Sequence, residues 1–324
     1  MQDSKYIVSA IVSVYNCERF IRGCLDDLGR QTISNRIEII AINSGSQQKE
    51  KDIINEYQER YDNIVYLETQ NRETIYKAWN RGIQAATGKY IINANSDDRR
   101  RRDALEIMSG ILENAADVDV VYPGFRITDT PNETFETSRA LESYDPPDYD
   151  RLELLFRCLP GHFPMWRKSV HDRLGFFNEK LEVAGDHEFW LRISAECCFL
   201  HVKEHLGLYY RNDQGGELRN PILTKIEYLD IVNAYLDEHF IPRINCDKNL
   251  VNKLRKKQSD INFGSADLFY FNNRTDLAKK YLFKSIRCGA PSFIKLKLLL
   301  YCYLPRSLVH SVLSRSCRKN RPVS

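Results

Sequence analysis

No stretch of this sequence is apolar for long enough to cross a bilayer. Its longest candidates run about eight residues, at 7–14, and about seven, at 298–304, where a membrane helix needs roughly 20. No basic segment leads into the first run and no small-residue cleavage site follows it, so 7–14 reads as a first strand and not as a secretory leader. Glycine and proline are sparse, 15 and 11 in 324 residues, which excludes collagen-like and disordered chains. Nine cysteines are present, but the number is odd and nothing suggests secretion; a reducing cytosol is the expected setting. Cys197, Cys198, His201 and His205 come nearest to a metal cluster. Zinc sites space paired cysteines about two to four residues apart, so vicinal cysteines ahead of a strand-like FLHV fit better as small packed hydrophobes.

What is present is 43% hydrophobic and 28% charged residues, the composition of a soluble globular protein with one large core or two modest domains. The charge is uneven. Residues 241–324 hold 18 Lys+Arg against 4 Asp+Glu, a net of +14, whereas 1–240 carry a net of −11. An acidic body opposes a polyanion, so nucleic acid is not an expected partner.

Over the first 125 residues, short β-branched runs at 7–14, 37–42, 64–67, 90–94 and 118–122 alternate with stretches of helical period. Examples of the latter are 48–60 and 17–31, where Phe20, Ile21, Cys24, Leu25 and Leu28 share one face. Strands that are apolar throughout and joined by amphipathic helices predict an α/β fold, a mostly parallel sheet with helices on both faces. Ligands of such sheets sit beyond the carboxyl ends of the strands. Polar residues collect there: Ser13, Tyr15 and Asn16 after the first strand, Asn43, Ser44, Gly45 and Ser46 after the second, Asn95, Ser96, Asp97 and Asp98 after the fourth. This set suits a nucleotide held with a divalent cation, because hard cations take carboxylate oxygens and share them with phosphate. The alternative at each place is a helix N-cap. Two adjacent carboxylates repel unless something positive sits near, and either a metal or the run Arg99–Arg102 would answer that; the arginines alternatively form a solvated first helical turn.

Four segments, VSAIVSVYNCERFIRGCLDDLGRQT, IEIIAINSGS, KAWNRGIQAATGKYIINANSDD and AGDHEFWLRI, fall in the order and close to the spacing of the motifs of inverting family 2 glycosyltransferases with the GT-A fold. The chain resembles that family over roughly residues 5–212. The resemblance implies a Rossmann-like sheet and a nucleotide-diphosphate sugar, a UDP-sugar favoured, with Ser13, Tyr15, Asn43, Ser44, Asn80, Asn95 and Ser96 near the donor and Tyr15 stacked near the base. It implies a divalent cation, Mn2+ or Mg2+, at Asp97 and Asp98. Arg72 is a weaker candidate for the diphosphate, chosen because a guanidinium matches phosphate geometry. Asp186 takes the place of the family's general base, which removes the acceptor hydroxyl proton as that oxygen attacks the anomeric carbon; an N-cap is the alternative for it. His187 reads as a helix-surface residue, Glu188 points elsewhere on the same helix, and Trp190 is a core or acceptor-site aromatic. Asn43, Asn95 and Gly185 each stand where the family has an acid. Those losses support a second reading, a catalytically silent nucleotide- or glycan-binding protein on the same fold.

The expected organisation is a catalytic unit at 1–220, with a donor half to about 124 and an acceptor half from about 125, followed by a basic helical region at 221–324. In the acceptor half, GHFPMWRKSVHDRLGFFNEKL reads as strand, short helix and turn. His162 and Trp166 border the sugar there or simply pack. Gly215 and Gly216 offer a hinge for a lid, and Asp213 sits where relatives carry a late histidine. Helical periods continue at 222–239, 248–257, 261–272 and 275–288, the last two resembling one helical-repeat pair. The segment from Pro291 mixes aliphatic and aromatic residues with Lys and Arg, which suits an anionic membrane surface or packing on the catalytic unit or a dimer partner. A saccharide or lipid-linked acceptor and a cytoplasmic, membrane-peripheral location follow as expectations.

Overall fold

The structure, a computed structural model, describes residues 5–140, 142–211, 220–244, 246–289 and 291–304. The chain divides into two compact units between Pro221 and Ile222. In the first, strands alternate with helices: β1 (Val8–Val14), α1 (Glu18–Gly29), β2 (Ile37–Ser44), α2 (Glu50–Gln58), β3 (Ile64–Thr69), α3 (Ile75–Ala85), β4 (Tyr90–Asn93), the two-residue β5 (Arg99–Arg100), α4 (Ala104–Asn114) and β6 (Val120–Thr128). Then come β7 (Glu142–Tyr144), α5 (Arg151–Leu154), β8 (Met165–Arg167), α6 (Ser169–Leu174), α7 (Gly185–Ile193) and β9 (Phe199–Tyr210). The strands lie in one sheet ordered β3-β2-β1-β4-β8-β6-β9-β5, with β7 paired to β6.

The donor half is parallel: β1 lies between β2 and β4, and β3 flanks β2. Its central strands are buried along both faces, every residue of β2 and β4 included, which is why they read as unbroken apolar runs and not as alternating ones. Helix α1 covers one face with Ile21, Cys24, Leu25 and Leu28, each nearly inaccessible. Strand β8 runs antiparallel to both β4 and β6, as β7 does to β6 and β5 to β9, and β8 brings Met165 and Trp166 into the interior.

The amino ends of the donor strands are tied together by one buried carboxylate. Glu38 Oε1 accepts from Ser9 Oγ (2.5 Å), Thr87 N (2.6 Å), Thr87 Oγ1 (3.0 Å) and Gly88 N (2.8 Å). Gly88 is required there, since a Cβ would sit 2.6 Å from Ser9 Oγ and 2.9 Å from the backbone of Ser9 and Val8.

The second unit is helical: α8 (Pro221–Ala234), a π-helical turn (Tyr235–Phe240), α9 (Lys248–Phe271), α10 (Thr275–Cys288) and α11 (Phe293–Tyr301). The two periods at 248–257 and 261–272 are one continuous helix, α9, which pairs with α10 across the turn at Asn273 (φ 64°). A buried amide network, Asn233 with Gln258 and Asn262, joins α8 to α9. No helix among the described residues is long and apolar enough to cross a membrane.

Candidate active site

The carboxyl ends of β1, β2 and β4 meet at one edge of the sheet. Val14 at the end of β1 pairs with Asn43 near the end of β2, and Ile11 pairs with Asn93 where β4 stops. None of the three polar turns caps a helix through a side chain: the helices that follow them, α1, α2 and α4, have Cys17, Lys49 and Asp103 at the N-cap, without a side-chain bond, and the N-cap of α7 is Ala184 and not Asp186. The first two turns are instead laced to each other. Asn16, in the left-handed region at φ 48° that Asn tolerates, donates its N–H to Ser46 Oγ (2.9 Å) and accepts from Gln47 N (3.1 Å). Gly45 has φ 67°, and a Cβ on it would lie 2.9 Å from the backbone of Gln70 and Asn71, so only glycine fits.

Within this edge the expected donor residues have distinct situations. Asn43 is buried, accepting from Ser46 N (2.8 Å) and donating to Tyr66 Oη (2.9 Å); an amide can do both, whereas a carboxylate cannot donate. Ser13 Oγ and Ser44 Oγ are buried without a partner among the described residues. Tyr15 and Arg72 meet, the guanidinium lying 4.4 Å from the ring centroid. Asn80 is fully engaged elsewhere. It accepts from Phe177 N (3.0 Å) and donates to Phe177 O (2.9 Å) and Glu179 Oε1 (3.0 Å), fastening the 177–179 loop to α3.

The two adjacent carboxylates are unequal. Asp98 is buried and its oxygens are both taken, by Asn95 Nδ2 (3.0 Å) and Tyr210 N (3.1 Å). Asn95 therefore serves Asp98 with a donor that the acid it replaces would lack. Burial raises the pKa of both carboxyls, and for Asp97 the neighbouring Asp98 raises it further while Arg99 and His162 oppose. Among the described residues, no hydrogen bond from another residue claims the Asp97 carboxylate. The pair thus fits a cation held by Asp97 with further oxygens from a diphosphate and water. Among the described residues, no group of three or more His, Cys, Asp or Glu is arranged to hold a metal alone. His201 and His205 pair instead with Asp148 (3.2 Å) and Asp145 (2.7 Å).

The arginine run is not a solvated helical turn. Arg99 and Arg100 form β5 and are each 2% exposed. Arg99 donates to the carbonyls of Ser96 (2.8 Å) and Asp98 (2.6 Å) and to Asn132 Oδ1 (2.7 Å); Arg100 donates to Asn93 O (2.5 Å). Both guanidiniums brace the turn that presents Asp97. Four consecutive arginines carry no period by which the first two could be placed inside.

Asp186 stands in the first turn of α7, half-buried. Its Oδ1 accepts from His187 N (2.8 Å) and Tyr76 Oη (3.3 Å), and the Cys158 thiol reaches Oδ2 (3.7 Å). His187 is buried, not on the surface, with Nε2 2.8 Å from Leu154 O, and burial lowers its pKa. Glu188 is paired with Arg192 (2.8 Å). Trp166 and Trp190, placed on the acceptor side by sequence, are each 1% exposed and pack edge-to-face in the core at 5.4 Å, and Trp166 gives its indole N–H to His171 Nε2 (2.8 Å). Neither ring is free to stack on a sugar. His162 stacks on Tyr209 (4.1 Å), the neighbour of Tyr210, whose N–H goes to Asp98. Asp213, Gly215 and Gly216 lie outside the described residues.

Comparison with known proteins follows the same lines. A hyaluronan synthase of Pasteurella multocida is 24% identical over 85% of this chain and 30% of its own length, and a chondroitin synthase of the same organism is 25% identical over 75% and 24%. The chain thus spans about a quarter to a third of these relatives. A putative glycosyltransferase, EpsH, of Bacillus subtilis is 34% identical over 57% of this chain and 55% of its own. Among solved structures, the S. aureus TarS fragment 1-349 in complex with UDP-GlcNAc superposes with a TM-score of 0.66 at 14% identity, covering 92% of this chain and 87% of that one. The Pyrobaculum calidifontis mannosyltransferase PcManGT with GDP-Man and Mn2+ gives 0.57 at 14% identity over 92% and 79%. Residues 9–175 match the profile of Glycosyl transferase family 2, and with the sheet order, the three converging strand ends and these neighbours in view, the chain belongs to that family and has the GT-A fold.

Proposed function

We propose that this protein transfers a sugar from a nucleotide-diphosphate sugar, a UDP-sugar favoured, to a saccharide or lipid-linked saccharide with inversion. The observation that carries the reading is the carboxyl edge itself, where two unpartnered buried hydroxyls, Ser13 and Ser44, stand with the Tyr15–Arg72 pair and the unclaimed carboxylate of Asp97. Asp186 is the general base: it takes the acceptor hydroxyl proton while that oxygen forms a bond to the anomeric carbon and the bond to the nucleoside diphosphate breaks, its electron pair leaving with the diphosphate. Mn2+ or Mg2+ at Asp97, with Asp98 adding charge beneath, would neutralise the leaving diphosphate. Neighbours that hold UDP-GlcNAc, or GDP-Man with Mn2+, support the donor class, and the two polysaccharide synthases support the acceptor class. The division into a 1–220 catalytic unit and a basic helical region belongs to the same reading.

The deciding experiment is calorimetric titration with UDP and GDP, each with and without manganese. Manganese-dependent binding of one nucleotide is expected. Binding of neither overturns the reading and leaves a silent family member.

For the helical unit we propose contact with an anionic membrane surface. Helix α11 buries Leu298 and Lys295, the latter donating to Ser259 Oγ (2.6 Å), while Phe293, Ile294, Leu296 and Leu300 are 51–80% exposed. An outward apolar face on a region of net +14 is what an anionic bilayer surface binds. Salt-sensitive sedimentation with phosphatidylglycerol vesicles and not with phosphatidylcholine vesicles is expected; equal behaviour with both sinks the idea.

A further inference from the structure

Gly185 has no room for a side chain. A Cβ built on it would lie 2.7 Å from Cδ2 and Cε2 of Tyr76 and 2.9 Å from its Cζ. The intruding ring is itself immobilised: it is 3% exposed, meets Trp79 edge-on at 5.3 Å and stacks with Phe177 at 6.0 Å. Phe177 is in turn held through both backbone groups by Asn80. At the end of this rigid stack the tyrosine hydroxyl reaches the carboxylate of Asp186 at 3.3 Å.

We propose that Tyr76 is the positioning residue of Asp186, and that Gly185 exists to let its ring approach the first turn of α7. This rests on the reading of Asp186 as the base. A carboxylate that must collect a proton needs one rotamer and one free lone-pair direction. The N–H of His187 and the Tyr76 hydroxyl both fall on Oδ1, which among the described residues leaves Oδ2 with the weakly donating Cys158 thiol at 3.7 Å. The geometry therefore assigns Oδ2 as the oxygen that takes the proton. Asn80 then supports the base at one remove, through the loop it anchors and the ring which that loop holds in place.

The groups facing Asp186 are the Tyr76 hydroxyl from α3, the Cys158 thiol from the segment after α5, and His187 on α7 itself, which is buried against Leu154 O. Of these, the tyrosine hydroxyl is a donor to the ionised form, so removing it makes that form less favourable. The test is the full chain with Tyr76→Phe, which keeps the ring and deletes the hydroxyl. Carbon-13 labelling of aspartate carboxyls, with the Asp186 signal assigned by its loss in Asp186→Asn, follows the titration of that group without any substrate. The proposal expects its pKa to rise by about half a unit to one unit, and turnover of the probe donor UDP-N-acetylglucosamine, read as UDP released with manganese, to fall about tenfold in kcat at unchanged KM. An unshifted Asp186 titration in a folded Tyr76→Phe protein overturns it. Gly185→Ala is the second variant: displacement of the ring is expected to shift the same titration, and to add little in the Tyr76→Phe background. An equal shift in both backgrounds overturns the coupling. Because the titration needs no turnover, failure of the base assignment itself shows separately, as full activity in Asp186→Asn.

Discussion

The two ends of the same three strands are built to opposite rules. At the amino ends of β1, β2 and β4 one oxygen of Glu38 gathers Ser9, Thr87 and Gly88 in a site that is 3% exposed. At the carboxyl ends of the same strands, Ser13 Oγ and Ser44 Oγ have no partner among the described residues, and burial and the neighbouring Asp98 hold the Asp97 carboxyl above its usual range. A buried polar atom without a partner costs about 1–3 kcal/mol. A fold that meets this cost at one end and avoids it at the other has a closed end that maintains the sheet and an open end kept ready for a ligand.

The sharpest way to break that contrast is Asp186→Asn. Loss of general base catalysis is worth about 10²–10⁴-fold, so turnover is expected to collapse by about a thousandfold while the melting temperature and manganese-dependent nucleotide binding stay put; a variant with parental turnover removes Asp186 from the mechanism. At the closed end the expected result reverses. Glu38→Ala strands several buried donors at once and is expected to cost about 3 kcal/mol or more in unfolding free energy, read by urea titration, with the folded fraction still binding nucleotide at parental affinity. If nucleotide affinity falls as far as stability does, the two ends are not independent and the contrast fails.

The closed end and the sheet were legible in the sequence because both follow from burial on two faces. A β-branched run such as IEIIAI has one stable environment, and the five expected runs are β1, β2, β3, β4 and β6. The turns were legible for the same topological reason, since a polar cluster directly after a buried strand has few places to go. Pairings set by tertiary contact were not legible. Arg99 and Arg100 are inside because β9 runs past them and α1 covers Arg99, and Trp166 is inside because β8 lies between β4 and β6, with Trp190 of α7 packed on it. Tyr76 gives no local sign at all; its relation to Asp186 spans 110 residues, and the absence of a side chain at Gly185 was the one clue, readable as a lost acid and in fact a clearance.

The smallest expected effect discriminates most finely between the ends. Ser13→Ala or Ser44→Ala deletes a hydroxyl that has no partner in the free protein, so stability should be unchanged or higher by a few tenths to about 1 kcal/mol. If the open end is a donor site, each hydroxyl gains a partner on binding, and its loss should weaken manganese-dependent nucleotide affinity by about three- to tenfold, or 0.5–1.5 kcal/mol. The two signs are opposed, which no purely structural role for these serines produces. A loss of stability with unaltered affinity would mean that Ser13 and Ser44 belong to the packing of the sheet, and the open end would shrink to Asp97 and the Tyr15–Arg72 pair.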